Sequence, residues 1–250
     1  METRPGFETG GPPGTGRTGE TSGERRSRWD RITAIAGLLF FLLVVASFFT
    51  PDTPEFDIGP DQLASALSED RTGHQMSLLL GFLSDIAFIV FLAGLWSRFR
   101  RHEGEGGMMA GLFAIAGAAF VATILVSGGL YLALVQAAET ADPSTLPTLA
   151  VLDYWVGLGT VSAGIAMMIG ATGAILSTHA LPTWLGWLAG AVAVLLVVSL
   201  GAVFEGSEEA WFVGIGGFGG FLLFMVWALA TSIVLLMRPR HHAAAGARAT

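Results

Sequence analysis

The chain contains no cysteine and no lysine, and each absence excludes a kind of chemistry. Without cysteine there is no disulfide, no thiolate nucleophile, no iron–sulfur cluster and no Cys-based zinc site. All 13 basic residues are arginine, so no lysine amine is present to form a Schiff base with retinal or pyridoxal phosphate. A rhodopsin-like photoreceptor is therefore excluded.

Charged residues are also scarce. They make up 13% of the 250 residues, whereas 52% of the chain is hydrophobic and the mean hydropathy is +0.63. A single soluble core could not bury this much apolar surface. We therefore predict an integral membrane protein whose main partner is the lipid bilayer. A membrane-protein partner or a second copy of the chain is a further expectation, and nucleic acid is not expected.

Long apolar runs predict an all-α bundle of six transmembrane helices. A bilayer core of about 30 Å needs about 20 residues at roughly 1.5 Å each, and a helix satisfies its backbone hydrogen bonds within its own segment. We expect residues 1–28 to be a disordered tail, residues 29–240 to form the transmembrane domain, and residues 241–250 to be a second tail. The predicted spans are 32–50, 74–96, 108–138, 147–178, 184–204 and 211–237.

The placement of arginine predicts the orientation. Arginines lie before the first span, between the second and third, and after the sixth, whereas the other three loops are acidic and contain Arg71 as their only base. Cytoplasmic loops carry the excess of basic residues. We therefore predict that both termini are cytoplasmic in a multi-pass protein of the bacterial cell membrane. The arginines on the predicted inner side are Arg25, Arg26, Arg28, Arg31, Arg98, Arg100, Arg101, Arg238 and Arg240.

The first outer segment, residues 51–73, is long enough to have structure of its own. Pro60 suits the first turn of a short helix, in which Leu63 and Leu67 would share one edge. Such a helix would lie on the membrane surface or on the bundle. A flexible acidic loop is the alternative, and the pattern does not choose between them.

Three partial motifs lack the context that their chemistry needs. Residues 11–18 resemble a phosphate-binding loop, but Arg17 replaces the lysine and no apolar strand precedes it. Residues 214–219 have the glycine spacing of a dinucleotide site, yet they lie in the sixth apolar run, where no strand–helix–strand unit fits. His102 begins a zinc motif whose second histidine is missing. We expect no cofactor and no metal.

Glycine spacing favours close packing between helices. The pairs 107/111, 186/190 and 216/220 are each four residues apart. Such pairs allow two helix backbones to approach each other in lipid.

Asp85 is the most informative residue, because it lies near the centre of the second span. An ionised aspartate at that depth costs at least about 2.5–3.5 kcal/mol, so it should face the bundle interior and be protonated or hydrogen-bonded. Counting residues inward from the outer face places Ser127 and Thr160 at comparable depth. We take these two residues as its candidate partners.

Asp153 and Tyr154 complete the candidate polar site, about two turns inside the outer end of the fourth span. In a functional interpretation, Asp85 binds a proton or cation and Asp153 lies at the mouth of an outward-facing cavity. In a structural interpretation, Asp85 is a hydrogen-bond anchor between helices and Asp153 is hydrated at the interface. The sequence favours the structural interpretation, because a relay would need more titratable groups.

Two aspartates on two helices are also typical of aspartyl intramembrane proteases. Catalysis there requires both carboxyl groups to share one water, and our depth estimates for Asp85 and Asp153 differ by several ångströms. A serine hydrolase would need a histidine on a helix near Ser127 or Ser162, and there is none. We expect no catalytic residues and no enzyme, and an intramembrane hydrolase is the weakest of three hypotheses.

The stretch from Leu78 to Leu200 resembles a widespread uncharacterised bacterial family of six-span integral membrane proteins. The resemblance is carried by Asp85, by the pair Asp153-Tyr154 and by the turn 181–187, which reads Leu-Pro-Thr-Trp-Leu-Gly-Trp. Family members usually have a basic residue where this chain has Thr183. The resemblance implies the architecture and assigns no functional residue.

The first functional hypothesis is therefore a non-enzymatic membrane protein with a structural or regulatory role. The alternative is a small proton- or cation-coupled transporter or channel that uses Asp85.

Overall fold

The computed structural model describes residues 22–51, 53–54, 58–104, 106–204 and 213–237, and this part of the chain is helical, without a strand. The fifth helix is preceded by a 3₁₀ turn, Pro143–Thr145, and the sixth is followed by another, Leu200–Val203. The seventh helix is preceded by a π-helical segment, Val213–Phe218. The helices are α1 Ser22–Ser47, α2 Pro60–Glu69, α3 Arg71–Glu103, α4 Met108–Ala137, α5 Leu146–Thr178, α6 Thr183–Ser199 and α7 Gly219–Met237.

Six of the helices, all except α2, belong to segments long and apolar enough to cross a membrane. They confirm the predicted all-α fold class with six spans, and they indicate a multi-pass membrane protein. The helices run past several predicted ends, since α1 begins at Ser22 and α3 extends from Arg71 to Glu103. Polar sequence outside the hydrocarbon continues the helical hydrogen bonding, so hydropathy marks the apolar stretch and not the helix ends.

Some of the predictions concern residues outside the described ranges. These are the phosphate-loop-like residues 11–18, the start of the predicted sixth span at residue 211, and the two tails apart from residues 22–28.

Aromatic side chains form the centre of the bundle. The ring of Phe88 on α3 lies 4.7 Å from Phe40 on α1 and 5.6 Å from Phe224 on α7, measured between centroids. Trp227 is fully buried beside them and donates its Nε1 hydrogen to the carbonyl of Leu185 at 3.1 Å. This bond satisfies the polar atom of a side chain that otherwise contributes apolar surface.

The first and last helices are antiparallel neighbours. Gly37 lies against Ser232, whereas the ring of Phe48, just after the end of α1, lies 6.4 Å from Phe221 near the start of α7. The beginning of α1 and the end of α7 are therefore at the same end of the bundle.

Close contacts between helices occur at several glycines. A Cβ built on Gly216 would lie 2.6 Å from the backbone nitrogen of Ser199, and one on Gly186 would lie 2.8 Å from Leu176. The predicted packing at 186/190 and 216/220 is therefore confirmed at Gly186 and Gly216. The pair 107/111 does not pack in this way, because a Cβ on Gly111 would have nothing within 4 Å.

A buried arginine joins three segments at the end of the bundle where α1 begins. The side chain of Arg98 is 6% exposed; its Nη1 donates to Asp30 Oδ2 at 2.8 Å and its Nε to the carbonyl of Ala180 at 3.0 Å. This arrangement, which we call the Arg98 clamp, links α3, α1 and the turn before α6. The sequence identified Arg98 only as a signal of orientation.

The opposite end is closed by α2, which is the helix that Pro60 predicted. Leu63 and Leu67 are fully buried in a cluster with Leu134 and Leu146, so α2 lies on the bundle. The structure therefore favours the helix over the flexible loop and the bundle over the membrane surface.

Two polar contacts stabilise the chain around α2. Arg71 bonds to Glu139 and Gln136, which joins the start of α3 to the end of α4. Asp142 accepts a hydrogen bond from the backbone nitrogen of Ser144 at 2.9 Å, which lowers the pKa of this exposed carboxyl group.

Candidate ligand-binding cavity

A cavity of about 530 Å³ lies between the spans, and its size is within the usual range for small-molecule sites. The cavity reaches the α2 end of the bundle, because Thr53, in the segment between α1 and α2, is one of its lining residues. Each of the six spanning helices contributes to the wall, for example through Phe40, Asp85, Ser127, Asp153, Leu196 and Phe224.

Small residues leave this space open. Gly81 on α3 and Gly157 on α5 both line the cavity. A Cβ on Gly81 would meet no atom within 4 Å, and one on Gly157 would approach only Ser127, at 3.9 Å. Since a tight helix seam would fill such positions, these glycines indicate an opening between the helices and not a close contact.

Asp85 lines the cavity at the centre of α3 and is 8% exposed. None of the described residues donates a hydrogen bond to its carboxyl group. The neighbouring Ser84 bonds to the carbonyl of Gly81 in its own helix. Asp85 is therefore a buried acid that faces open space without a donor in the described part of the chain.

Asp153 has the partner that the sequence assigned to Asp85. Ser127 Oγ on α4 donates to Asp153 Oδ1 on α5 at 2.5 Å. The predicted pairing of Ser127 with Asp85 is corrected, and helix depth gives the reason. Ser127 and Asp153 lie about 15 Å and 10 Å from the α2 ends of their helices, whereas Asp85 lies about 21 Å from the start of α3.

The other two predicted site residues have different positions. Thr160 lies at about the same depth as Asp85 and lines the cavity, although no hydrogen bond joins the two within the described chain. Tyr154 is not among the lining residues, and its ring packs against Trp155 with 5.3 Å between centroids. The structure therefore brings Asp85, Ser127, Asp153 and Thr160 to one cavity and leaves Tyr154 outside it.

A buried pair that the sequence did not predict lies at the α2 end of the cavity. The hydroxyl of Tyr131 is 2.9 Å from His74 Nδ1, and both side chains are buried. Tyr131 also lies near Thr53 and Asp153, and all three line the cavity. Both residues of the pair lie about one or two turns from the α2 ends of neighbouring helices. This similar depth is the feature of the sequence that could have predicted the pair.

No family model, curated protein or solved structure matches this chain. The resemblance to a six-span bacterial family stays a prediction.

Proposed function

We propose that this protein is a small membrane transporter coupled to protons or another cation, with the cavity as its binding site and Asp85 as the cation-binding carboxyl group. The supporting observation is the environment of Asp85, which is buried, faces the cavity and has no hydrogen-bond donor among the described residues. Acidic residues inside spans are costly and commonly mark ion or proton pathways. Buried polar groups with a purely structural role are normally hydrogen-bonded.

Further titratable groups support a pathway to Asp85. Asp153 and Tyr131 face the same cavity from α5 and α4, and His74 on α3 bonds to Tyr131. From the sequence alone, these groups could not be placed around one cavity. These groups extend from the α2 end of the bundle to Asp153, and Asp85 lies about 11 Å deeper, so a proton relay would need water in the cavity to complete the path.

We also propose an orientation for this pathway. The arginine distribution in the sequence favours a cytoplasmic position for the end that contains the Arg98 clamp, in a bacterial cell membrane. The opposite end, with α2, Tyr131 and Asp153, would then face outward. A proton or cation from outside would reach Asp153 before Asp85.

The cavity favours transport over the two other hypotheses. A structural anchor at Asp85 would need a donor on another helix, and none is found in the described part. An intramembrane hydrolase would need Asp85 and Asp153 to share a water, whereas Asp153 is bonded to Ser127. A structural or regulatory role and the hydrolase both stay predictions.

Ion flux in liposomes tests the proposal. Purified protein is reconstituted, a membrane potential is imposed, and the entry of H⁺, Na⁺ and K⁺ is followed with ion-sensitive dyes. We expect the wild type to admit one of these ions and Asp85→Asn to reduce its entry to the level of empty liposomes. Asp61→Asn is the matched control, because Asp61 is an exposed acid on α2 outside the cavity wall. Equal flux in Asp85→Asn and the wild type would contradict the proposal, as would wild-type liposomes that stay no more permeable than empty ones both with and without a second cation loaded inside for exchange.

A further inference from the structure

The wall of the cavity combines acid with aromatic surface. Asp85 and Asp153 are its only charged residues among those described, and neither arginine nor histidine lines it. Most of the remaining wall is apolar, and it includes six phenylalanines, which are Phe40, Phe82, Phe88, Phe120, Phe221 and Phe224. This composition suits a ligand that is both positively charged and apolar.

Phenylalanine rings lie close to the Asp85 position. Phe88 is one turn beyond Asp85 on α3, so the two side chains are neighbours on one face of that helix. The Phe88 ring contacts Phe40, Phe120 and Phe224, with 4.7–5.9 Å between centroids. A cation held by Asp85 would therefore have an aromatic cluster beside it, contributed by α1, α3, α4 and α7.

A bare metal ion fits this wall poorly. Ca²⁺, for example, takes six to eight oxygen ligands, and within the described residues no group of three or more His, Cys, Asp or Glu side chains could hold a metal. The helices α3 and α5 are continuous past Asp85 and Asp153, so their carbonyls are already used in helical hydrogen bonds. A proton alone needs no cavity of about 530 Å³.

We propose that the cavity binds a monovalent organic cation, with its ammonium or other cationic group at Asp85 and its apolar body among the phenylalanine rings. This inference rests on the proposed function, because it names the substrate class of the same site. The organic cation and a proton would compete for the Asp85 carboxyl group. The other titratable groups that face the cavity are Asp153 on α5 and Tyr131 on α4, and His74 on α3 bonds to Tyr131.

Calorimetric titration with tetraphenylphosphonium tests the inference. The purified full-length protein is kept in a neutral detergent, and tetraphenylborate is the comparison ligand, because it has nearly the same size and shape and the opposite charge. We expect saturable binding of the cation and none of the anion. The affinity for the cation should fall at least tenfold in Asp85→Asn and about threefold in Phe120→Leu, which keeps an apolar side chain without an aromatic face. Asp61→Asn should bind as the wild type does.

A folding check and a pH titration ensure that the binding result can be interpreted. Circular dichroism and size-exclusion chromatography show whether each variant is folded. If Asp85→Asn does not fold, the wild type titrated at falling pH takes its place, and affinity for the cation should decrease as protons occupy the carboxyl group.

The inference is overturned if the wild type binds the two probes equally, or if folded Asp85→Asn binds the cation as the wild type does. It is also overturned if lowering the pH leaves the affinity unchanged. Ion flux that depends on Asp85 without any cation binding would leave the proposed transport intact and reject the substrate class. Cation binding that depends on Asp85 without flux would reject transport and support the binding site.

Discussion

Replacing Asp85 with leucine tests whether this carboxyl group stabilises the helix bundle or serves only the cavity. On scales of membrane insertion, aspartate at a helix centre costs about 2.5–3.5 kcal/mol and leucine gains about 0.3–0.6 kcal/mol. The full difference of roughly 3–4 kcal/mol applies to a side chain surrounded by lipid. Asp85 is 8% exposed and faces a cavity wide enough for water, so part of this cost is relieved by hydration. We expect Asp85→Leu to raise the free energy of unfolding by about 1–3 kcal/mol.

Reversible unfolding in sodium dodecyl sulfate, followed by tryptophan fluorescence, measures this change, because Asp85 in the unfolded chain can reach water at the micelle surface. The matched control is Ser84→Ala, because Ser84 is the neighbouring buried residue and bonds only within its own helix. We expect the control to stay within about 0.5 kcal/mol of the wild type. If Asp85 were a hydrogen-bond anchor between helices, its replacement would instead cost about 0.6–2 kcal/mol. A loss of about 0.6 kcal/mol or more in a folded Asp85→Leu protein would therefore refute the argument from the missing donor.

Two further predictions concern the packing of α3, and the same unfolding assay checks both. Gly94→Ala should lower the free energy of unfolding by about 1–3 kcal/mol, because the new Cβ would lie 1.8 Å from Thr33 Oγ1. The control is Gly111→Ala, which should be neutral or stabilising because its new Cβ would meet open space. Equal losses in the two variants would contradict this explanation. Arg98→Met should lower the free energy of unfolding by about 1–3 kcal/mol, which is less than for a fully buried ion pair because the partner carboxylate on α1 is 29% exposed. The control, Arg101→Met on the exposed face of α3, should change this free energy little. If Arg98→Met leaves the free energy of unfolding unchanged, the clamp does not stabilise the bundle.

Hydropathy was sufficient to predict the architecture, because a chain in lipid must satisfy its backbone within helices or a closed barrel. The spacing of Leu63 and Leu67 predicted the edge of α2, but periodicity gave no information on what that edge would contact. The structure places both leucines in a cluster on the bundle. Local sequence therefore predicted elements, and their partners depended on tertiary packing.

The candidate site shows the same division. Depth along each helix grouped Ser127 and Thr160 with Asp85 in the prediction, Asp153 was placed at the mouth of the same cavity, and all four line the cavity. The pairing was wrong for Ser127, because α3 begins at Arg71 and not at residue 74, which places Asp85 deeper than Ser127. The His74 interaction with Tyr131 was missed, because the sequence does not show how α3 and α4 are rotated towards each other.

The Arg98 clamp also bears on how the chain assembles while it is being synthesised. Asp30 enters the membrane region first, and its ion-pair partner on α3 becomes available only after α3 has been inserted. The carbonyl of Ala180 arrives later still, once α5 is complete. Since chains are made from the N-terminus, α1 and α3 can join as an early pair. The Nε of Arg98 is then still free to bond to Ala180 when the second half of the bundle is added. An insertion intermediate that contains only α1 to α3 should therefore already hold this ion pair.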